Sequence, residues 1–390
     1  MPLHRRVFFI AGFDPKSPRF YHHLSRNLAA HRPAGSEGAD DPPVQVSGRR
    51  RLNEWADEWD VHWPASAGGD DLHTRYTLLR WDDIVRAHWE RTAGRVLRDH
   101  WSFYVDGFRQ GFFGRAWRAS RLNWMFVVFP LGVALLMALL WSVLATAIVA
   151  GLPPSAAPWA TLTVGLVACG GAWWSWRRLS HRLGSDWLMR LYGFSHTQAA
   201  GRVHELDPRV DAMAALIAQA AAESPDAQEL LVVGHSTGAT LAASALSRAL
   251  SLSPDIGRSG GPQLSLLTLG HCTPLVYYFA TADQLRNELD ALTSHPQLTW
   301  VDYTAPADWA GCARISPWHR PGRAVLHRLS PRFPKILRPE HYQTLRRNRL
   351  AMHMQYLKPA DLAGRYDLLA FTAGRPTLRD RHPPQASTDP

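Results

Sequence analysis

Cysteine is nearly missing from this 390-residue chain: Cys169, Cys272 and Cys312 are all it has. Three thiols build no disulfide framework, and Cys169 lies inside an apolar run, a usage that fits a reducing compartment. Zinc-ligand spacing, RNP-like motifs and helix-turn-helix signatures are also absent. The net charge of +10 therefore points to an anionic surface or partner, and nucleic acid is not expected to be it. Internal repeats are lacking. The opening Met1-Pro2-Leu3-His4-Arg5-Arg6 runs straight into the strand-like Val7–Ala11, unlike a cleavable signal peptide. The most consequential absence is of charge: residues 122–176 contain no charged side chain.

That uncharged stretch holds two apolar runs, Trp124 to Ala150 and Pro158 to Trp176, separated by the turn-forming Gly151-Leu152-Pro153-Pro154-Ser155. A helix crosses the hydrocarbon core in about 20 residues, so each run is long enough. A buried helical hairpin of a soluble protein is the competing reading. The length and uniform apolarity of the first run favour the membrane; Gly165, Gly170 and Gly171 interrupt the second. Arg109, Arg115, Arg118 and Arg121 precede the hairpin, and Arg177, Arg178, Arg182 and Arg190 follow it. The positive-inside rule then puts both ends in the cytoplasm, as expected of an integral protein of a plasma (bacterial inner) membrane. Upstream, Trp101, Tyr104, Val105, Phe108 and Phe112 recur at helical spacing among arginines. Such a helix either lies in the membrane interface or packs on the adjoining domain.

Outside the hairpin the pattern alternates between strands and helices. Val7–Ala11, Gly48–Trp63, Thr74–Trp81, Glu229–Val233, Leu264–Leu269 and Leu298–Tyr303 read as strands, with a Gly-Gly-Asp-Asp turn at 68–71. Residues 19–31 and 211–222 read as helices. This predicts an α/β fold with a mostly parallel sheet. The buried strand at Glu229–Val233 leads into Gly234-His235-Ser236-Thr237-Gly238, and the small residues Ala239–Leu246 follow with helical periodicity. Strand, G-x-S-x-G, helix is the pattern of a nucleophile elbow, a tight turn that lifts a serine hydroxyl above the sheet.

At these residues the chain resembles the α/β-hydrolase superfamily, in its lipase- and esterase-like branches. The resemblance implies a serine, acid, histidine order along the chain, with the acid just past a strand downstream of the elbow. Asp308, in the loop Thr304–Asp308, is the acid it implies; Asp302, inside the strand, is the competitor. His353, in Met352-His353-Met354-Gln355-Tyr356, occupies the place of the family's base, with His341, His319 and His327 as the other candidates. The oxyanion hole it implies is the N–H of Thr237 with that of Phe13, in the loop after the first strand. Here Ala11-Gly12 replaces the family's His-Gly form, and Asp14 stands beside the hole. Gly270–Leu275 resembles the Gly-Ser-Pro-Leu turn of lipase-like members, and His271 and Cys272 read as packing. No metal and no cofactor is expected.

The expected architecture is thus an α/β-hydrolase fold split by an insertion: residues 1–120 and 181–373 form the domain, 121–180 the transmembrane hairpin, and 374–390 a disordered tail. The expected activity is a membrane-anchored serine hydrolase acting on an ester, of a lipid or another acyl donor, on the cytoplasmic face. A hydrolase fold kept as a non-enzymatic membrane interaction module is the alternative. Arg314 to Arg338, with seven basic residues and no acidic one, is expected to overhang the site and meet anionic headgroups, at about 1 kcal/mol per basic residue.

Overall fold

The computed structural model describes residues 3–65, 70–89, 92–153, 155, 158–258 and 260–383. Its centre is β1 (Leu3–Ile10), whose second half, Val7 to Ile10, is apolar and buried on both faces. Such a strand belongs in the middle of a parallel sheet. The others are β2 (Gln45–Val46), β3 (Arg50–Asn53), β4 (Ala56–Trp63), β5 (Leu72–Leu79), β6 (Glu229–His235), β7 (Gln263–Leu269), β8 (Thr299–Tyr303) and β9 (Val325–Leu329). The nine strands make one sheet in the order β2-β4-β5-β1-β6-β7-β8-β9, with β3 also paired to β4. From β5 to β9 all neighbours are parallel; β2, β3 and β4 are joined antiparallel. Helices cover both faces, and each face has its own apolar core.

The strands stand where alternation and apolar runs place them, with three differences, one of them the unexpected two-residue β2. The stretch Gly48–Trp63 is two strands, because Asn53 turns the chain by accepting the Trp55 N–H on its side chain at 2.8 Å. The basic stretch Arg314–Arg338 contributes the edge strand β9, paired with β8, and a short helix at Phe333–Ile336. Of the Gly-Gly-Asp-Asp turn, Gly68 and Gly69 lie outside the described residues, as does Pro154 in the break between the apolar runs.

Between β5 and β6 the chain leaves the sheet. The helix Arg121–Ala150 has its foot in the domain, with Asn123, Phe126, Val127, Pro130 and Val133 buried. Pro130 has no N–H to give the Phe126 carbonyl one turn back. The Tyr192 hydroxyl supplies that bond, at 3.1 Å. Tyr104 donates to the next carbonyl, Val127, at 2.8 Å, and the Asn123 amide donates to Ala313 at 2.7 Å. Beyond Val133 the helix projects away, exposing Leu135, Leu136, Leu139, Leu140, Val143 and Ile148. The helix Pro158–Leu183 returns beside it: the Trp141 ring faces Gly171, and its indole donates to Ser175 Oγ at 3.0 Å. Among the described residues one helix, Arg121–Ala150, is long and apolar enough to cross a membrane. Its partner is diluted by glycines and ends in Arg177, Arg178 and Arg182.

A buried ion pair closes the bottom of the sheet. Arg5 Nε lies 3.0 Å from Glu229 Oε2, and neither side chain is exposed. Glu229 Oε1 also accepts from Ser265 Oγ at 2.6 Å and from the Leu378 N–H at 2.8 Å. Arg5 donates to the Pro376 carbonyl at 3.0 Å. The C-terminal segment is thereby ordered through Pro383, with Thr377 and Asp380 forming a capping box on the helix Leu378–Arg381. Disorder expected from Gly374 is thus not found up to Pro383; the remainder, 384–390, lies outside the described residues. Removing one member of a buried pair strands the other charge, at a cost of about 3–5 kcal/mol. Glu229→Ala should lower the thermal midpoint several-fold more than Asp255→Ala, which breaks an exposed pair with Arg258, in parallel melts of the full chain.

Candidate active site

The turn after β6 is the local event from which the site grows. Ser236 has φ +59° and ψ −127°, a conformation that costs an L-residue about 1–3 kcal/mol. Its N–H is held by the Leu269 carbonyl at 2.8 Å. Small residues are obligatory around it. A Cβ on Gly238 would run into the carbonyl oxygens of Ile10 and Ala11, and one on Gly12 would lie 2.6 Å from Ser236 Cβ and 3.2 Å from its Oγ. The Gly12–Phe13 peptide is therefore pressed beside the hydroxyl, with the Phe13 ring stacked on Phe194 at 4.6 Å. Thr237 opens the helix Thr237–Leu252, where first-turn N–H groups have no helical acceptor and the helix dipole favours negative charge.

Asp308 and His353 meet at this turn. The loop leaving β8 carries Asp308, and the helix Arg349–His353, capped by the Asn348 side chain, ends in His353. His353 Nδ1 and Asp308 Oδ2 are 2.8 Å apart, with both side chains essentially unexposed. Burial pushes the Asp308 carboxyl up, but the His353 ring and the Ala310 and Gly311 amides hold it below its ordinary value. A carboxylate on Nδ1 selects the tautomer that leaves Nε2 free to accept a proton. Nε2 is buried and has no partner. His235, inside the elbow motif, hydrogen-bonds the His353 carbonyl through Nε2 at 3.0 Å, the rings 4.8 Å apart, which ties the histidine's backbone to the serine turn. Trp187 also packs on the ring, at 5.3 Å.

The serine and the imidazole are not hydrogen-bonded to each other. Ser236 Oγ sits 3.6 Å from Cys272 Sγ, and that thiol donates to the Ala310 carbonyl at 3.3 Å. Burial raises the Cys272 thiol to about 12, so it is a neutral neighbour. Asp14, beside the same loop, is also raised by burial, against the pull of Lys16. Its Oδ2 is buried without a partner.

The remaining candidates go elsewhere. His341 is partly exposed and pairs with Asp361 at 2.8 Å; His319 lies 3.4 Å from Asp290; His327 is on β9. Asp302 accepts from Thr268 Oγ1 at 2.7 Å, and burial raises it to about 8. His271 is 3.6 Å away but is lowered to about 3 by burial, so the two face each other uncharged. Sequence reasoning missed Trp309, Trp187 and His235 as parts of the site. Trp309 adjoins Asp308 and His235 adjoins Ser236, so proximity to the motif was the available signal. Trp309 stacks on Phe126 at 4.6 Å and lies under the Arg349 guanidinium at 3.9 Å, which joins the Asp308 loop to the foot of the apolar helix.

Among the described residues one group, His62, Asp71 and His73, is spaced to hold a metal ion, at the opposite end of the sheet. Comparison with known proteins returns no matching family model, no similar curated protein and no similar solved structure.

The two buried aspartates make opposite pH contributions. Asp302 has its folded pKa raised to about 8, so its stabilising contribution is complete below the ordinary carboxylate pKa of about 3.9 and is lost as pH rises towards 8. Asp302→Asn, which keeps a neutral group there, should flatten the fall in denaturation midpoint between pH 4 and 8.

Proposed function

We propose that this chain is a serine hydrolase of the α/β-hydrolase type, anchored in a membrane by the helical pair spanning 122–176. One juxtaposition carries the reading: a strained Ser236 between a helix N-terminus and the Gly12–Phe13 peptide, with a buried His353–Asp308 pair at the same turn. Each part answers a need of acyl transfer. The serine Oγ turns from Cys272 towards His353 Nε2, gives up its proton there and attacks an ester carbonyl; Asp308 holds the imidazolium that forms. The amides of Thr237 and Phe13 take the oxyanion; as it collapses, the imidazolium gives its proton to the departing alcohol, and water deprotonated by His353 then hydrolyses the acyl-enzyme and frees Ser236.

The anchor rests on the exposed apolar faces of both helices. Leu97, Trp101 and Phe108, exposed on the helix Ala93–Arg109, extend that surface sideways as an interfacial helix would. Arginines packed on tryptophan rings at the hairpin's base, Arg121 on Trp117, Arg177 on Trp173 and Arg178 on Trp174, suit a cytoplasmic interface of a plasma membrane. A site whose acid loop leans on the anchor suits a lipid or other acyl ester. The second reading, a non-catalytic membrane module, is favoured by the contact of Ser236 with Cys272 rather than with His353.

Hydrolysis of short- and medium-chain p-nitrophenyl esters by the detergent-solubilised chain separates the two. Ser236→Ala and His353→Ala should each lower kcat by about 10⁴-fold or more, and His341→Ala should leave it unchanged. Wild type without activity above background across detergents and added lipids would support the non-catalytic reading.

A further inference from the structure

The antiparallel pairing of β4 with β5 sets His62 directly opposite His73. Residues in register across two strands share a face, and the two imidazoles stack with centroids 4.4 Å apart and planes 17° from parallel. Asp71 immediately precedes the return strand beside them: its Oδ2 lies 3.2 Å from His62 Nε2. One donor atom from each of the three falls within 4.8 Å of the others. Ligands of a four-coordinate metal with bonds of about 2.0–2.1 Å stand about 3.3 Å apart, so His62 and Asp71 are already at ligand spacing, and His73 is within 4.8 Å of both. The carboxylate is also oriented in advance, because its other oxygen, Oδ1, accepts the Ala65 N–H at 2.8 Å. Outer bonds of this kind aim ligands in metal sites.

We infer that His62, Asp71 and His73 form a binding site for a borderline divalent transition metal of the zinc class. Two imidazoles and one carboxylate suit zinc, cobalt or nickel, whereas magnesium and calcium favour all-oxygen shells. Water completes the coordination. The site bridges the ends of β4 and β5, and the metal would link the two strands there. It belongs to a different part of the molecule from Ser236: His4, which pairs with His73, is seven residues up β1 from Ala11, or about 23 Å at 3.3 Å per residue. The spacing in sequence, His62 and His73 with ten residues between them, matches no common metal motif, so the hairpin register alone brings them together.

Isothermal titration of the tag-free, chelator-stripped full chain with Zn²⁺ should give one saturable equivalent, and Co²⁺ should report the coordination in its visible spectrum. His62→Ala and His73→Ala should each weaken binding by about 100-fold or more, and Asp71→Asn by about 10-fold or more. Independently of any variant, bound Zn²⁺ should protect His62 and His73 of the wild type from diethyl pyrocarbonate, read by peptide mass spectrometry. Lack of saturable binding by the wild type, protection at other histidines instead, or undiminished binding by a folded His62→Ala/His73→Ala protein would overturn the assignment.

Discussion

The structure depends on a backbone turn that an L-residue resists. Ser236 holds a positive φ because its surroundings leave no alternative: β7 takes its N–H, β1 presses Gly12 against it, and the elbow helix runs so close under β1 that Gly238 has no room for a Cβ. A strained conformation persists where the surrounding structure over-determines it. Here the determinants are three adjacent parallel strands, β1, β6 and β7, and their order in the sheet is what lets a strand end, a glycine loop and a helix N-terminus converge on one hydroxyl. The buried Arg5–Glu229 pair at the far end of β1 and β6 keeps those two strands in register with the C-terminal segment.

Asp308 and His353 are held by a second constraint, which runs through the helices between β5 and β6. Asp308 precedes Trp309, and Trp309 is clamped between the foot of the long apolar helix, at Phe126 and Phe129, and Arg349 of the helix that carries His353. The helix foot is fixed in turn by Tyr192, whose hydroxyl satisfies the carbonyl that Pro130 leaves unpaired. A displacement of the apolar helix would therefore reach the Asp308 loop through one stacked ring. Packed contacts of this kind transmit movement because interiors have little free volume.

Much of this was legible in the sequence, for identifiable reasons. Apolar strands of fixed period, the elbow motif and the uncharged stretch are local signals, and the strand positions, the Ser236 turn and the apolar helix follow from them. Asp308 and His353 were readable only through chain order, since their meeting spans 45 residues, and the 2.8 Å contact between them is a tertiary fact. The β3–β4 turn was hidden inside an apparently continuous strand because one Asn side chain makes it. The ordering of Gly374–Pro383 was invisible because its anchor, Glu229, lies 149 residues before Leu378. Nor does composition distinguish the edge strand β9 from a loop, since a strand at the sheet's rim carries arginines as readily as a lid does. The second apolar run had the length of a span but, with its glycines and tryptophans, not its hydropathy.

The central claim is that Ser236 is an activated nucleophile rather than a buried structural hydroxyl. Its most direct test is treatment of the full-length, detergent-solubilised chain with a fluorophosphonate, followed by peptide mapping of the adduct. The account predicts a single phosphonylated residue, Ser236, with Asp308→Asn slowing its formation. An unmodified Ser236, or an adduct on another residue, would contradict it.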